Sequence, residues 1–164
     1  MSQFILTSPT IKDGDTLPNT HVFNDWGYSG DNQSPELHWQ GAPEGTKSFA
    51  ISCYDPDAPT GSGFWHWYVI NLPADCTHLK AGAGNPASPQ LPSGARQMNN
   101  DIAQKAFVGA FPPQGDKPHR YIFTVYALGV DRLELPENAT TAFAGFNVLG
   151  NTLAQASFTA YYGR

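Results

Sequence analysis

Charge is scarce in this chain, and positive charge is scarcest: 9 Lys and Arg against 14 Asp and Glu leave a formal net charge of -5 over 164 residues. Nucleic acid and anionic membrane surfaces need clustered Lys and Arg. The nine present are scattered, so both are excluded as general partners, and any anion must be held locally by a few aimed donors. Cysteine is nearly absent as well. Cys53 and Cys76 stand in no CxxC or other metal-ligand spacing, which leaves two buried or half-buried thiols rather than a disulfide framework or a zinc site. No apolar run approaches the roughly 20 residues of a membrane span. Met1 to Thr16 lacks the basic-then-apolar order of a secretory signal, so the expected location is cytoplasmic.

What the chain has in quantity is turn chemistry. Its 14 prolines and 16 glycines, with only 14% charged residues, describe a turn-rich and strand-rich protein. The expected fold is mostly β: a two-sheet antiparallel arrangement with a C-terminal helix and few short helices, in one domain spanning residues 1–164. Strands are expected at Phe4 to Leu6, Thr20 to Phe23 and Leu37 to Trp39. Ser48 to Tyr54 alternates, with Phe49, Ile51 and Cys53 on one face, as a strand covered mainly on one side would. Trp65 to Leu72 is apolar on both faces and reads as a central strand, and Tyr121 to Leu128 is a third strong one. Leu149, Leu153, Ala156 and Ala160 recur at helical spacing, with Asn147 or Asn151 available as a cap, and place the C-terminal helix there. Between them, Pro73 to Ala106 is a long Pro, Gly, Ala and Ser-rich stretch of the kind that is functional or partner-covered.

Two blocks carry the chemistry. DPDAPTGSGFWHWYVINLP, Asp55 to Pro73, and VGAFPPQGDKPHRYIFTVYAL, Val108 to Leu128, each set Gly, Pro and a His just before an aromatic, β-branched strand. Rigid loops at strand ends present polar groups to one place, so the two blocks point to a shared pocket. His66 has the parity of Tyr68, Ile70 and Leu72, and is either a satisfied core histidine or a pocket wall. His119 and Tyr121 share a face. Arg120 has the opposite parity and reads better as the partner of an aspartate in the first block than as a phosphate clamp.

The blocks also carry a likeness. DPDAP with a tryptophan-flanked His (Asp55 to Pro59, His66), followed by G-x-x-P-P-x-G and HRY (Gly109, Pro112, Pro113, Gly115, His119 to Tyr121), resembles the phosphatidylethanolamine-binding protein family. The likeness is to its short bacterial, Raf-kinase-inhibitor-like branch, and SPELHW and the closing NTLAQASFTAYYGR extend it over most of the chain. The resemblance implies a small cavity for phosphate-like anions, with Asp55, Asp57, His66, Gly109, Ala110, Pro112, His119 and Tyr121 as ligand-binding residues. Candidate ligands are phospholipid head groups, nucleotides or phosphopeptides. It also implies kinase or protease partners for some members, and a homodimer among bacterial relatives.

In physical terms, Asp55 can orient and charge one of the two imidazoles, Tyr121 adds a hydroxyl, and the Gly109 and Ala110 amides can form an anion nest. This sequence departs from the family pattern at Phe111, where a small residue or Cys is common, and at Val108 and Ala110, where Gly is. It departs again at Asn99-Asn100-Asp101, where relatives carry an Arg-Asn-Asp-like motif in a loop expected to close over the pocket. A two-His, one-carboxylate metal site or a His-Asp base would make an enzyme instead. No GxSxG, HExxH or P-loop accompanies the histidines, so the expectation is a non-catalytic protein without a cofactor.

Overall fold

The structure is a computed structural model that describes residues 3–87 and 89–164. In chain order its strands are β1 (Ile5–Thr7), β2 (Leu37–Gln40), β3 (Ser48–Asp55), β4 (Phe64–Pro73), β5 (His78–Leu79), β6 (Arg96–Gln97), β7 (His119–Leu128) and β8 (Thr152–Tyr162). The helix α1 (Thr141–Asn151) precedes β8, and a 3-10 turn covers Asn19–His21. Antiparallel pairing builds two sheets, β1-β2-β5 and β6-β4-β3-β7-β8. Between them lies the larger core, where Leu6, Leu37, Trp39 and Leu79 of the small sheet meet Phe49, Ile51, Trp67, Phe123 and Phe158 of the large one.

β3 is the middle strand of the large sheet, and it is covered on both faces rather than one. Phe49, Ile51 and Cys53 enter the larger core, as their alternation requires. The other face meets a second core, in which Ala50 packs with Tyr68, Ile70 and Tyr126 beneath Ala144 and Val148 of α1. Ser52 on that face is buried and satisfied, its hydroxyl 2.9 Å from the Tyr126 hydroxyl. Small residues at positions 50 and 52 leave room for the helix to approach.

That helix lies earlier than the spacing of Leu149 to Ala160 indicates. Thr140 caps it, its side chain accepting from the Phe143 N–H at 3.0 Å, and Thr141, Ala144 and Val148 are its buried face. At Thr152 the chain becomes β8, which pairs with the whole of β7 from Leu128↔Thr152 to His119↔Tyr162. Ala156 and Ala160 are four apart, and four is an even number, so the same spacing that lines a helix face also lines one face of a strand. Thr20 to Phe23 is likewise not a strand. Pro18 starts the 3-10 turn, and only Val22 makes a bridge, to Ala110.

Pro73 to Ala106 is irregular but anchored. It contributes β5 and β6, and Ser34 binds it three times, through Gly82 N–H to Ser34 O (2.8 Å), Gly84 N–H to Ser34 Oγ (2.9 Å) and its own N–H to Asn85 Oδ1 (3.0 Å). The outward face of α1 is bare: Phe143, Phe146 and Leu149 are exposed, as is Leu153 just beyond it, and no charged residue interrupts this apolar row.

Candidate functional site

The two signature blocks meet because β3, which ends in Asp55, is hydrogen-bonded on one side to β4 and on the other to β7. Asp55 Oδ1 accepts the Asp57 N–H at 2.8 Å, an Asx turn that swings the DPDAP loop out of the sheet. The loop closes at Gly63, where φ is +74° and a Cβ would stand 2.3 Å from the Tyr54 hydroxyl oxygen, so only glycine fits.

β4 then carries a bulge. Cys53 pairs with Trp67 and Tyr54 with Trp65, which leaves His66 without a partner. The bulge overturns the parity expected for His66. Trp65 packs on Tyr54 and Tyr68 on the helix side, whereas the His66 ring lies 5.2 Å from Tyr121, 4.8 Å from Phe64 and 5.6 Å from Phe111 between ring centroids. The irregular step re-aims one imidazole into the space that β7 lines.

His66 is buried and its Nδ1–H donates to Val108 O at 2.8 Å, so Nε2 carries the lone pair. Burial pulls its pKa down to about 4, against the smaller upward pull of the Val108 and Gly109 backbone. It is a neutral acceptor at pH 7. His119 is the opposite case. Its Nδ1 faces Asp55 Oδ2 at 2.7 Å and its Nε2 faces Asp116 Oδ2 at 2.9 Å. A neutral ring would aim a lone pair at one of these carboxylates, so the geometry demands an imidazolium. Burial lowers its pKa, but the hydrogen bonds to Asp55 and Asp116 outweigh that and the net shift is upward.

Arg120 points the other way, as its parity requires, and clamps Asp57 through Nε (3.0 Å), Nη2 (2.9 Å) and its own N–H (2.9 Å). These hydrogen bonds hold the Asp57 carboxyl below the usual range. Tyr121 is 1% exposed, and its hydroxyl has no protein partner among the described residues. Burial pushes its pKa far up, so it stays a neutral hydroxyl.

Asp55, His66, Pro112, His119 and Tyr121 line one cavity of about 230 Å³, walled by Ala58, Pro59, Thr60, Phe64, Phe111 and Pro113. Five of the eight residues expected at the site are therefore together, and three are not. Asp57 faces a neighbouring open cleft with Arg120. Gly109 and Ala110 lie behind the wall, and their amides are spent: Gly109 N–H donates to Asn32 Oδ1 (2.6 Å) and Ala110 N–H to His21 O (3.2 Å). A Cβ on Gly109 would sit 2.6 Å from His21 O and Phe23 N, which explains glycine there by backbone packing rather than by ligand approach.

The Asn99-Asn100-Asp101 segment does not close over the cavity. Asp101 Oδ2 accepts the Trp65 N–H at 2.8 Å, and Asn100 binds Ala106 O, Ile102 N–H and Gln104 N–H, so the segment braces the start of β4 beside the His66 bulge. Arg96 is engaged elsewhere, on Leu135 O and Pro136 O. Two contributors were absent from the expected ligand-binding set: Phe111, which the sequence marks only as a departure from the family pattern, and Asp116. Phe111 packs on Phe23, Trp26 and Phe64 to form an aromatic wall, and Asp116 reaches forward three residues to His119. The signal for Asp116 was an acidic residue after a glycine in the turn just ahead of the histidine. Among the described residues no three His, Cys, Asp or Glu side chains gather to hold a metal.

The family model of phosphatidylethanolamine-binding protein matches residues 7–163. The chain belongs to this family. Among bacterial family members, the UPF0098 protein YbhB of Escherichia coli K12 is 52% identical over 157 residues, covering 96% of this chain and 98% of YbhB. The crystal structure of E. coli YbcL, described as a new member of the mammalian PEBP family, superposes with a TM-score of 0.95 at 47% identity, covering 99% of both chains. A putative phosphatidylethanolamine-binding protein homolog from Chlamydia trachomatis, CT736, gives a TM-score of 0.81 at 28% identity over 98% of this chain and 97% of that one.

Proposed function

We propose that this phosphatidylethanolamine-binding protein family member is a non-catalytic binding protein whose cavity takes the phosphoryl or carboxylate head of a small ligand. The observation that carries the reading is the Tyr121 hydroxyl, buried without a partner among the described residues, in the same cavity wall as His66 and the His119 imidazolium. A buried polar group is ordinarily satisfied, and one left free in a cavity wall is a ready contact for a ligand. At about 230 Å³ the cavity falls below the usual range for drug-sized ligands, so it has room for a head group and not for a lipid or nucleotide entire. Its Phe64, Phe111 and proline walls suit the first carbons beyond that head.

The same groups are poor catalysts. The Thr60 hydroxyl donates to Gly63 O at 2.5 Å, the Tyr121 hydroxyl is held far from ionisation, and His66 at a pKa of about 4 is a weak base. Such a site binds ground state and transition state alike, which does not accelerate chemistry. Purified protein should show no stoichiometric metal by elemental analysis and no enzyme-like turnover on a phosphate- and carboxyl-ester panel. Hydrolysis abolished by His66→Ala would replace the binding reading with a hydrolase.

Titration calorimetry with phosphorylethanolamine tests the reading directly. Tyr121→Phe should weaken binding about tenfold, the worth of one good hydrogen bond, while leaving folding stability equal or higher by about 1 kcal/mol because a buried free hydroxyl is removed. A variant that loses stability and keeps its affinity would assign Tyr121 to the core alone. A cytoplasmic location belongs to the same reading, since Cys53 and Cys76 are free thiols. A second reading, inhibition of a kinase or protease through a protein interface, is favoured by the bare apolar row Phe143, Phe146, Leu149 and Leu153. A homodimer would use the same face, and sedimentation of the purified protein separates the two.

A further inference from the structure

The cavity floor offers an anion almost no free hydrogen. The His66 N–H is committed to Val108 O, both His119 N–H groups to carboxylates, and the Gly109 and Ala110 amides to Asn32 and His21. The two carboxylates on His119 are unequal. Asp55 is buried and holds the Asp57 N–H as well, whereas the Asp116 side chain is 39% exposed and, among the described residues, bonds to nothing but His119. His119 also stands between two spaces. One is the cavity, and the other is an open cleft lined by Asp57, Asp116, Lys117, Pro118, Arg120 and Tyr161. That cleft gives the Asp116 side chain somewhere to go by rotation, beside the cations of Lys117 and Arg120. The turn that carries it, closed by Asp116 N–H on Pro113 O at 3.2 Å, need not unfold.

We propose that Asp116 is a resident competitor for the ligand's anionic group: a phosphate monoester takes the place of its carboxylate at His119 Nε2, and the side chain turns out into the cleft. This rests on the reading of the cavity as an anion site and explains how that site is opened. A carboxylate and a phosphate present the same kind of oxygen to an imidazolium, so the exchange conserves the charge-assisted hydrogen bond. It also means that the affinity of the intact protein is set by a difference, ligand against Asp116, and that ligands too weakly charged to displace a carboxylate are refused.

The experiment is calorimetric titration of wild type, Asp116→Ala and Asp116→Asn with inorganic phosphate and with phosphorylethanolamine, and of the same proteins with phosphatidylcholine vesicles containing phosphatidic acid, whose head is a phosphate monoester. Asp116→Ala should bind the soluble monoester at least about tenfold more tightly than wild type, since it frees a charged donor and removes a neighbouring negative charge, and Asp116→Asn, whose amide oxygen can still accept from Nε2 but carries no charge, should tighten binding by less. Tightening on the vesicles as well would identify a lipid as the source of the monoester. Wild-type binding that is unchanged or weakened in both variants overturns the role of Asp116 and leaves the cavity reading standing. Binding by none of the three proteins overturns both.

Discussion

Acidification from pH 7 to pH 4 is expected to remove about 3 kcal/mol of folding stability through His66 alone, the equivalent of moving one group from 6.5 to about 4 at about 1.4 kcal/mol per unit. The sign follows from where protons bind. Between pH 6.5 and 4 an unfolded chain protonates this imidazole and the folded chain does not, because the ring is buried against Phe64, Phe111 and Tyr121 with its N–H on Val108 O. Stability is therefore fully present above pH 6.5 and falls as the pH drops toward 4. His21, also buried and lowered, adds in the same direction. Asp55, raised by burial, acts with the opposite sign just above 3.8, and His119, raised by its carboxylates, contributes stability that is lost only above 6.5. Urea unfolding at pH 7, 5.5 and 4 measures the sum, and His66→Asn isolates the one residue. An asparagine amide can still donate to Val108 O but does not titrate, so the variant's stability should be flatter with pH by about 3 kcal/mol across the window. An unchanged slope would mean that His66 is charged in the fold and that the site has been drawn with the wrong donor.

Much of this site was legible because its loops are written in Pro, Gly and Asp. DPDAP and PPxGDxPHRY specify turns whose chemistry is local, and the strands that follow them alternate strongly enough to set His119 and Tyr121 on one face and Arg120 on the other. What was not legible depends on pairing between distant segments. The His66 bulge exists because Trp65 answers Tyr54 and Trp67 answers Cys53, and a register between two strands cannot be seen in either one. The last strand was misread for a related reason: the ladder to β7 decides its conformation, and a repeat of four residues fits strand and helix equally. The amides of Gly109 and Ala110 look free in the sequence and are taken in the fold by Asn32 and His21, nearly ninety residues away in the case of Ala110. Contacts of that separation determine which groups remain for a ligand.

Asp55→Ala is expected to cost about 3 kcal/mol, the lower end of what removal of one partner from a buried ion pair costs. The pair is buried on both sides, Asp55 at 2% and His119 at 3% exposure, and the 2.7 Å bond between them joins the end of β3 to the start of β7. The loss stays at the lower end because Asp116 still faces Nε2 and keeps the imidazolium partnered. Part of it comes from the DPDAP loop, whose Asx turn has no acceptor for the Asp57 N–H once the carboxylate is gone. Arg120→Ala is the natural control. It breaks an ion pair one residue away that is bidentate but lies at the surface, where solvent screens the charges, and its effect should be much smaller. The two variants differ in a second readout. Removing Asp55 takes away the larger of the two carboxylate partners that raise the His119 pKa, so the ring followed by nuclear magnetic resonance should titrate at a lower pH than in wild type, while Arg120→Ala should leave it little changed. Equal stability losses in the two variants, with His119 titrating alike in both, would show that the Asp55 pair neither closes the cavity floor nor holds the proton on His119.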